Sequence, residues 1–281
     1  MKDIKVFYWL GEPNFGDMLN IEICRNIFKV NPVEAQPEYC EAVFIGSVLD
    51  DFLYPNIFKN DNYIKLYNQD PVKIWGSGFI TEKNGFIKRK LLLPELFFRR
   101  IEVYSVRGLY SLLRLKKISK TSIDCSVLAD PGLLASFLIE KNEKKYKIGI
   151  IPHHTELDMD VWKNIKQSDE IKIIRVDNFN TLETIKQISE CENIFSSALH
   201  GLIVADSLGV PNIRLKVSNR LLGGDYKFKD YYSSYNIYEH PFIGISDFIY
   251  QYSKIKNLKN IVSFEMVEFK QKQLLSSFPF I

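Results

Sequence analysis

Residues 193–211, NIFSSALHGLIVADSLGVP, place a buried strand directly before a helix that has a single histidine near its start. Residues 193–195 are typical of a short buried strand, and residues 199–208 have apolar side chains at helical spacing until a glycine and a proline end the pattern. The first turn of a helix has unpaired N–H groups and a partial positive charge, which favour anions. The segment therefore predicts an α/β fold with Ser197 and His200 at a strand-to-helix junction.

His200 has two explanations at this point. An unperturbed imidazole titrates near pH 6.5, roughly, so it suits the transfer of a proton at neutral pH. A histidine at the start of a helix is equally well explained as a structural residue that supports the turn. The segment alone favours neither explanation.

Length and composition predict two domains. The chain has 281 residues, 46% of them hydrophobic, with no biased tract. The lysine-rich stretch 140–145 is typical of a solvated linker. We therefore expect one domain over 1–139, a second over 146–244, and C-terminal helices over 245–281, the last of which crosses back to the first domain.

Charge and cysteine content exclude several classes of protein. The 37 basic residues are nearly balanced by 34 acidic ones, for a net charge of +3, and they are scattered, which argues against a dedicated nucleic-acid binder. The four cysteines have no Cys-x-x-Cys spacing, so we expect reduced thiols rather than a zinc site or disulfides. The apolar run near the N-terminus is too short and too charged for a signal peptide, which predicts a cytoplasmic protein.

Strand and helix patterns alternate in both halves. The predicted strands are 4–9, 42–45, 72–75, 102–106, 147–151, 171–176, 193–195 and 212–215. The predicted helices are 18–28, 159–165, 181–190, 199–208, 245–255 and 261–275. This alternation indicates two doubly wound, Rossmann-like domains that face each other across a cleft.

Ligands of open parallel sheets bind at the carboxyl ends of the strands. In the predicted strand assignment, the loops at these ends carry Asn14, Ser77, Arg107, His153, Arg175 and Ser197. We expect these side chains to face the cleft.

Five motifs occur in a fixed order along residues 14–211: Asn14-Phe15-Gly16-Asp17, Val106-Arg107-Gly108, Ala129-Asp130-Pro131, Leu199-His200-Gly201 and Gly209-Val210-Pro211. In this order they resemble the polysaccharide pyruvyl transferases, and residues 223–232 resemble the succinoglycan-type ketal branch of that family. The resemblance implies a fold similar to the GT-B glycosyltransferases. It also implies transfer of pyruvate from phosphoenolpyruvate to a sugar as a cyclic ketal, with release of phosphate and without a separate cofactor. The residues themselves favour a site without a metal, because the neighbouring His153 and His154 are poorly placed to bind one ion together and no carboxylate or cysteine cluster is close in sequence.

The resemblance and the chemistry together suggest roles for the charged residues. His200 matches the histidine of the family and is the predicted general acid. Arg107 is predicted to clamp a carboxylate or phosphate through paired hydrogen bonds, with a surface ion pair as the alternative. Lys227 is predicted to place a point charge on the phosphate, or else to be a solvated lysine.

The Asn14-Phe15-Gly16-Asp17 loop has a structural and a functional interpretation. Gly16 permits a tight turn, and Asp17 is suited to cap the following helix. In the functional interpretation Asn14 and Asp17 bind acceptor hydroxyls, with Asp17 as a base. For Asp130, which precedes a proline, ordering of its loop is favoured over contact with substrate.

One departure from the family pattern concerns position 198. Many family members have an arginine two residues before the histidine, and this chain has Ala198. Arg107, Arg175, His153 and Lys227 are the cations that we consider as replacements, without a preference among them.

The partners follow from the resemblance and from the C-terminal tail. We expect a sugar acceptor on a lipid-linked precursor of a surface polysaccharide, which would bring the protein to the inner face of the membrane. The apolar tail 278–281 is interpreted as exposed and suited to dock on a second protomer or a membrane surface. A nucleotide-sugar glycosyltransferase and a non-catalytic sugar-binding protein are the alternative functions.

Overall fold

The structure is a computed structural model that describes residues 1–9, 11, 14–50, 70–82, 100–119, 122–140, 142–165, 169–177, 180–252 and 258–280. Among these residues, no helix has both the length and the apolar character that crossing a bilayer requires.

The first half folds around a parallel sheet of five strands, in the spatial order β2-β1-β3-β4-β5. The strands are β1 (Lys2–Phe7), β2 (Val30–Glu34), β3 (Ala42–Val43), β4 (Val72–Trp75) and β5 (Ile101–Ser105). Helix α1 (Phe15–Asn26) follows β1, and helix α2 (Leu109–Ile118) follows β5. A 3₁₀ helix, Pro131–Phe137, comes last in this half.

The second half has its own parallel sheet of five strands, in the order β10-β9-β8-β6-β7. The strands are β6 (Tyr146–Ile151), β7 (Ile171–Ile173), β8 (Cys191–Ser196), β9 (Asn212–Lys216) and β10 (Phe242–Gly244). The helices are α3 (Thr181–Ser189), α4 (Leu199–Ser207), α5 (Tyr226–Ser233), α6 (Ile245–Gln251) and α7 (Phe264–Ser276).

The two sheets have the same topology. In each half the first strand lies between the second and the third, so the strand order reverses between β1 and β3 and again between β6 and β8. This is the order of flavodoxin-like sheets, so the Rossmann-like prediction holds for the doubly wound architecture but not for the strand order. Such a reversal opens a crevice at the carboxyl ends of the strands, where ligands bind.

The two halves pack against each other through a shared hydrophobic core. Helix α1 contacts α3, and the 3₁₀ helix Pro131–Phe137 contacts α4. The backbone N–H of Phe15 donates to the carbonyl of Val176 across the junction, at 3.1 Å. The carboxyl ends of both sheets are thereby held close together.

The C-terminal helix α7 lies against the first half. Gln271 donates from Nε2 to the carbonyl of Leu133 at 2.7 Å, and Trp75 donates from Nε1 to Oγ of Ser277 at 3.2 Å. The expectation of an exposed apolar tail is wrong for Phe278, which is buried and stacks on Phe28 with ring centroids 3.8 Å apart. The tail therefore fills the core of the first half, which removes the basis for docking through it; residue 281 lies outside the described residues.

All eight predicted strands occur, with bounds that differ by a few residues. The predicted α-helix at 159–165 is wrong, because a 3₁₀ helix forms there over Asp160–Asn164. The sequence patterns missed β2, α2, α5 and β10. Strands β2 and β10 are edge strands, and β2 contains Pro32, which is tolerated at an edge but obscures a strand pattern. The predicted helix 245–255 is helical through Gln251, and residues 253–257 lie outside the described residues.

Candidate active site

A cavity of about 490 Å³ lies where the two strand-order reversals face each other. The loops after β1 and β3 line it from the first half, and the loops after β6 and β8 line it from the second half together with residues from 220–227. The polar and charged lining residues are Asn14, Asp17, Ser47, Asp50, His153, His154, Thr155, His200, Arg220 and Lys227.

His200 lies in the first turn of α4, and its imidazole is 15% exposed. A Cβ atom at Gly16 would lie 1.9 Å from Nδ1 of His200, so the ring lies directly against the backbone of α1. Gly16 is inside that helix, so the predicted tight turn is wrong. The glycine is required by the close approach of the imidazole.

Asn14 and Asp17, the two polar residues at the start of α1, have different roles. Asn14, rather than Asp17, caps the helix, since its Oδ1 accepts from the N–H of Gly16 at 3.1 Å. Asp17 is buried in the cavity wall, where its Oδ1 accepts from the N–H of Trp9 at 3.4 Å. Burial raises the pKa of Asp17 to about 6, although the nearby His200 and Lys227 oppose the rise. The carboxyl group therefore changes its charge close to neutral pH.

The start of α4 has no side-chain cap. Ala198 is the N-cap residue and lines the cavity, which leaves the N–H groups of the first turn without a side-chain acceptor. Ser197, which we expected to help hold an anion, is fully buried and accepts from the backbone N–H of His153 at 2.8 Å. The expected role of Ser197 is therefore wrong: its hydroxyl links the loops after β6 and β8.

Lys227 and His153 form a pair in the cavity wall. Nζ of Lys227 is 3.3 Å from Nε2 of His153, and Nδ1 of His153 is 2.9 Å from Oγ1 of Thr155. Burial, with the charge of Lys227, lowers the pKa of His153 to about 2, so the imidazole is neutral and its Nε2 accepts from the ammonium. Burial, with the charges of Arg107 and Arg214, lowers the pKa of Lys227 to about 8.

The sequence profile of the polysaccharide pyruvyl transferases matches residues 14–219. The chain belongs to this family. It is therefore a transferase, and the matched region contains the cavity-lining residues from Asn14 to His200.

Two further proteins are similar to this transferase. An uncharacterised protein of Acanthamoeba polyphaga mimivirus is 28% identical over 250 residues, which cover 84% of this chain and 76% of the viral protein. A crystal structure of a functionally uncharacterised protein from Klebsiella pneumoniae superimposes with a TM-score of 0.45 at 15% identity and covers 86% of this chain and 92% of that one.

The transferase uses Arg107 differently from the prediction. Its guanidinium is fully buried: Nε donates to Oδ2 of Asp230 at 2.9 Å, and Nη1 and Nη2 donate to Ser47 and to the carbonyl of Phe79. These bonds join the loops of the first half to α5 of the second. The prediction of an anion clamp at Arg107 is wrong because the side chain is engaged in this link and does not line the cavity.

Arg175 and Asp130 also lie outside the cavity lining. Arg175 makes a two-point hydrogen-bonded ion pair with Asp177 on the surface, so it does not replace the missing arginine. Asp130 is fully buried, and its Oδ1 accepts from the N–H of Gly132 at 2.9 Å. Contact between Asp130 and a substrate is excluded by this burial, and its Oδ2 instead faces His200.

Arg220 lines the cavity from the loop after β9, although no sequence pattern singled it out. Within the described part of the chain its guanidinium has no hydrogen-bond or ion-pair partner, and it is exposed. The rule that ligands bind at the carboxyl ends of parallel strands predicts this loop as well, since β9 lies next to β8. Leu222, which is 69% exposed, was also not placed at the cavity by sequence patterns, whereas Trp9, 55% exposed at the end of the predicted strand 4–9, was a candidate surface for a sugar ring and does line the cavity.

Proposed function

We propose that this transferase moves pyruvate from phosphoenolpyruvate to a sugar of a surface-polysaccharide precursor, forming a cyclic ketal and releasing phosphate. The observation that carries the proposal is the presence of His200 in one cavity with two cations, Lys227 and Arg220, and one carboxyl group, Asp17. A proton donor, anion anchors and a base are the groups that this reaction needs.

The proposed reaction balances as follows. His200 gives a proton to the methylene carbon of phosphoenolpyruvate, which becomes the methyl group of the ketal. Two sugar oxygens form bonds to the adjacent carbon, and the bond from that carbon to the phosphate oxygen breaks. Of the two hydroxyl protons, one returns to His200, and the other is taken by the carboxylate of Asp17 and passed to the phosphate that leaves.

The donor is proposed to bind beside α4. Lys227, Arg220 and the uncapped N–H groups at the start of α4 supply positive charge and hydrogen-bond donors for the carboxylate and phosphate. Lys227 and Arg220 thus replace the arginine that the family pattern leads us to expect at Ala198.

The acceptor is proposed to bind on the side of the first half. Asp17 is placed to take a hydroxyl proton, since its raised pKa gives a carboxylate above about pH 6 that is basic enough for this role. The exposed ring of Trp9 provides an apolar face on which a pyranose can stack. We further propose that the acceptor is lipid-linked and that the reaction takes place in the cytoplasm. The two halves would be arranged as in GT-B enzymes.

A turnover assay tests the proposal. The purified chain is incubated with phosphoenolpyruvate and lipid-linked or synthetic galactosides, and phosphate release is followed together with the mass of the acceptor. Phosphate release that requires the acceptor, with a matching gain of acceptor mass, is the expected result. It should be lost in His200→Ala and kept in His240→Gln, because His240 lies outside the cavity.

Two other outcomes would replace the proposal. Release of a nucleoside diphosphate from a sugar nucleotide would identify a glycosyltransferase. Binding of the sugar without any turnover would identify a sugar-binding protein.

A further inference from the structure

Asp130 and His200 come from different halves of the chain and face each other inside the protein. Oδ2 of Asp130 lies 3.8 Å from Nε2 of His200. Both atoms are buried, and neither has a hydrogen-bond partner among the residues that the structure describes. Buried polar atoms are rarely left without a partner, so this arrangement needs an explanation.

The local structure fixes the direction of the Asp130 carboxylate. Its Oδ1 caps the 3₁₀ helix Pro131–Phe137 by accepting from the N–H of Gly132. Gly132 in turn packs closely on α4, since a Cβ atom there would lie 3.1 Å from Cγ2 of Ile203 and 3.7 Å from Cδ2 of His200. With one oxygen used by the cap, the other is directed at the imidazole.

The two ring nitrogens of His200 therefore have different surroundings. Nδ1 lies against Gly16, a residue of the cavity wall, whereas Nε2 lies on the buried side, next to Asp130. A separation of 3.8 Å is that of an ion pair, longer than a hydrogen bond. The carboxylate therefore acts on the imidazole chiefly through its charge.

We propose that Asp130 is a positioning residue for His200: it keeps a proton on Nε2, so that Nδ1 exchanges the proton with the substrate, and it stabilises the imidazolium from the buried side. This inference rests on the proposed role of His200 as the acid. After His200 gives up its Nδ1 proton, the neutral ring keeps the Nε2 proton beside Asp130. A proton from a sugar hydroxyl then restores the imidazolium.

Other charged groups also face His200. Asp17 approaches it from α1, and His153 approaches it from the loop after β6. The positive charge of Lys227 lowers the pKa of both Asp17 and His153. Asp17, His153 and Lys227 line the cavity, where substrate reaches them, whereas Asp130 lies behind the ring. The effect of Asp130 can therefore be tested without altering the cavity wall.

Asp130→Asn is the variant for this test. Its side-chain oxygen still accepts from the N–H of Gly132, so the cap is kept. Its NH₂ group then faces Nε2 of His200 and favours the tautomer with the proton on Nδ1, which is the wrong one for the proposed exchange. We expect kcat to fall by roughly 10²-fold or more, with little change in the KM for phosphoenolpyruvate. The alkaline limb of the kcat profile should move to lower pH.

Asp177→Asn is the matched control, because it neutralises a carboxylate on the surface, outside the cavity lining. We expect kcat and its pH profile to be unchanged in this variant. Equal changes in kcat and pH profile for Asp130→Asn and Asp177→Asn would overturn the proposal.

A second measurement does not depend on turnover. The chain has four histidines, so the ring nitrogens of ¹⁵N-histidine-labelled protein can be assigned by comparison with His200→Gln. In the wild type, the neutral His200 ring should carry its proton on Nε2, and in Asp130→Asn on Nδ1. A wild-type ring protonated on Nδ1 overturns the proposal even if the variant fails to fold. Because no substrate is present, failure of the pyruvyl-transfer proposal leaves this result interpretable.

Discussion

A Cβ atom at Gly16 would lie 1.9 Å from Nδ1 of His200, so α1 has no side chain where the imidazole rests on it. Glycine inside a helix is less stable than alanine by about 0.5–1 kcal/mol. The position is therefore explained by the contact between the two halves and not by the stability of the helix.

Gly16→Ala should separate activity from folding. The added methyl group forces the ring of His200 to move by about 1 Å or more. A displacement of this size lowers the catalytic rate by about 10²-fold. The helix itself accepts alanine, so the far-UV circular dichroism spectrum should be unchanged. Phosphate release and thermal unfolding, measured on the same preparation, test this separation of activity from folding. Full activity in Gly16→Ala would show that catalysis does not require the contact between the imidazole and Gly16.

Lys227 should determine how donor binding depends on alkaline pH. Its pKa is lowered to about 8, chiefly by burial. The ammonium that attracts an anion is present below this pH and lost above it, so kcat/KM for phosphoenolpyruvate should fall as the pH rises through 8. Lys227→Arg keeps its charge throughout this range and should remove the rise in the KM for phosphoenolpyruvate above pH 8, whereas Lys227→Met should already have a raised KM below pH 8. Identical profiles in the wild type and Lys227→Arg would exclude this role.

Asp17 should determine the acid limb of activity. A base must be ionised, so phosphate release should rise with pH through about 6, and Asp17→Asn should lose both this limb and most of the rate. The folded-state pKa of about 6 lies above the ordinary value of 3.8 for an aspartate, so the folded protein binds the proton more tightly than the unfolded chain. Stability is therefore lost as the pH rises from about 4 to 6.

The same variant gives an independent stability readout. Asp17→Asn removes the cost of a buried charge, and it should raise the free energy of unfolding at pH 7 by about 3 kcal/mol, with only a small gain at pH 4. Urea unfolding at the two pH values measures the difference. A variant that is destabilised at pH 7 would contradict the account of the raised pKa.

Much of the fold was predictable because its signals are local. Buried strands such as 72–75 and the strand-to-helix junction around His200 are set by short apolar patterns, and the structure has both. Strands β2 and β10 were missed because Pro32 interrupts the strand pattern of β2 and the three residues of β10 are not buried.

The site was predictable only where position along the chain determines position in space. Of the residues to which the carboxyl-end rule was applied, Asn14 and His153 line the cavity, whereas Ser77, Arg107, Arg175 and Ser197 do not. Residue type alone could not distinguish a cation that binds ligand from one that binds its own protein. This is why the sequence favoured Arg107 and overlooked Arg220, although only the latter lines the cavity.

Replacement by methionine should therefore have different effects at the two arginines: Arg107→Met should lower stability, whereas Arg220→Met should weaken donor binding. Among the residues that the structure describes, Arg107→Met leaves the buried Asp230 with only the N–H and hydroxyl of Ser111 as partners. Removing one member of a buried ion pair costs about 3–5 kcal/mol of folding free energy, because the remaining charge is uncompensated.

Arg220→Met removes an exposed guanidinium and should change the free energy of unfolding by less than about 0.5 kcal/mol. It should instead raise the KM for phosphoenolpyruvate, by about tenfold, because one charged hydrogen bond to the donor is lost. Urea unfolding and donor titrations on both variants decide the matter. If Arg107→Met folds with wild-type stability and binds the donor weakly, then Arg107 is the anion clamp and the link to Asp230 is secondary.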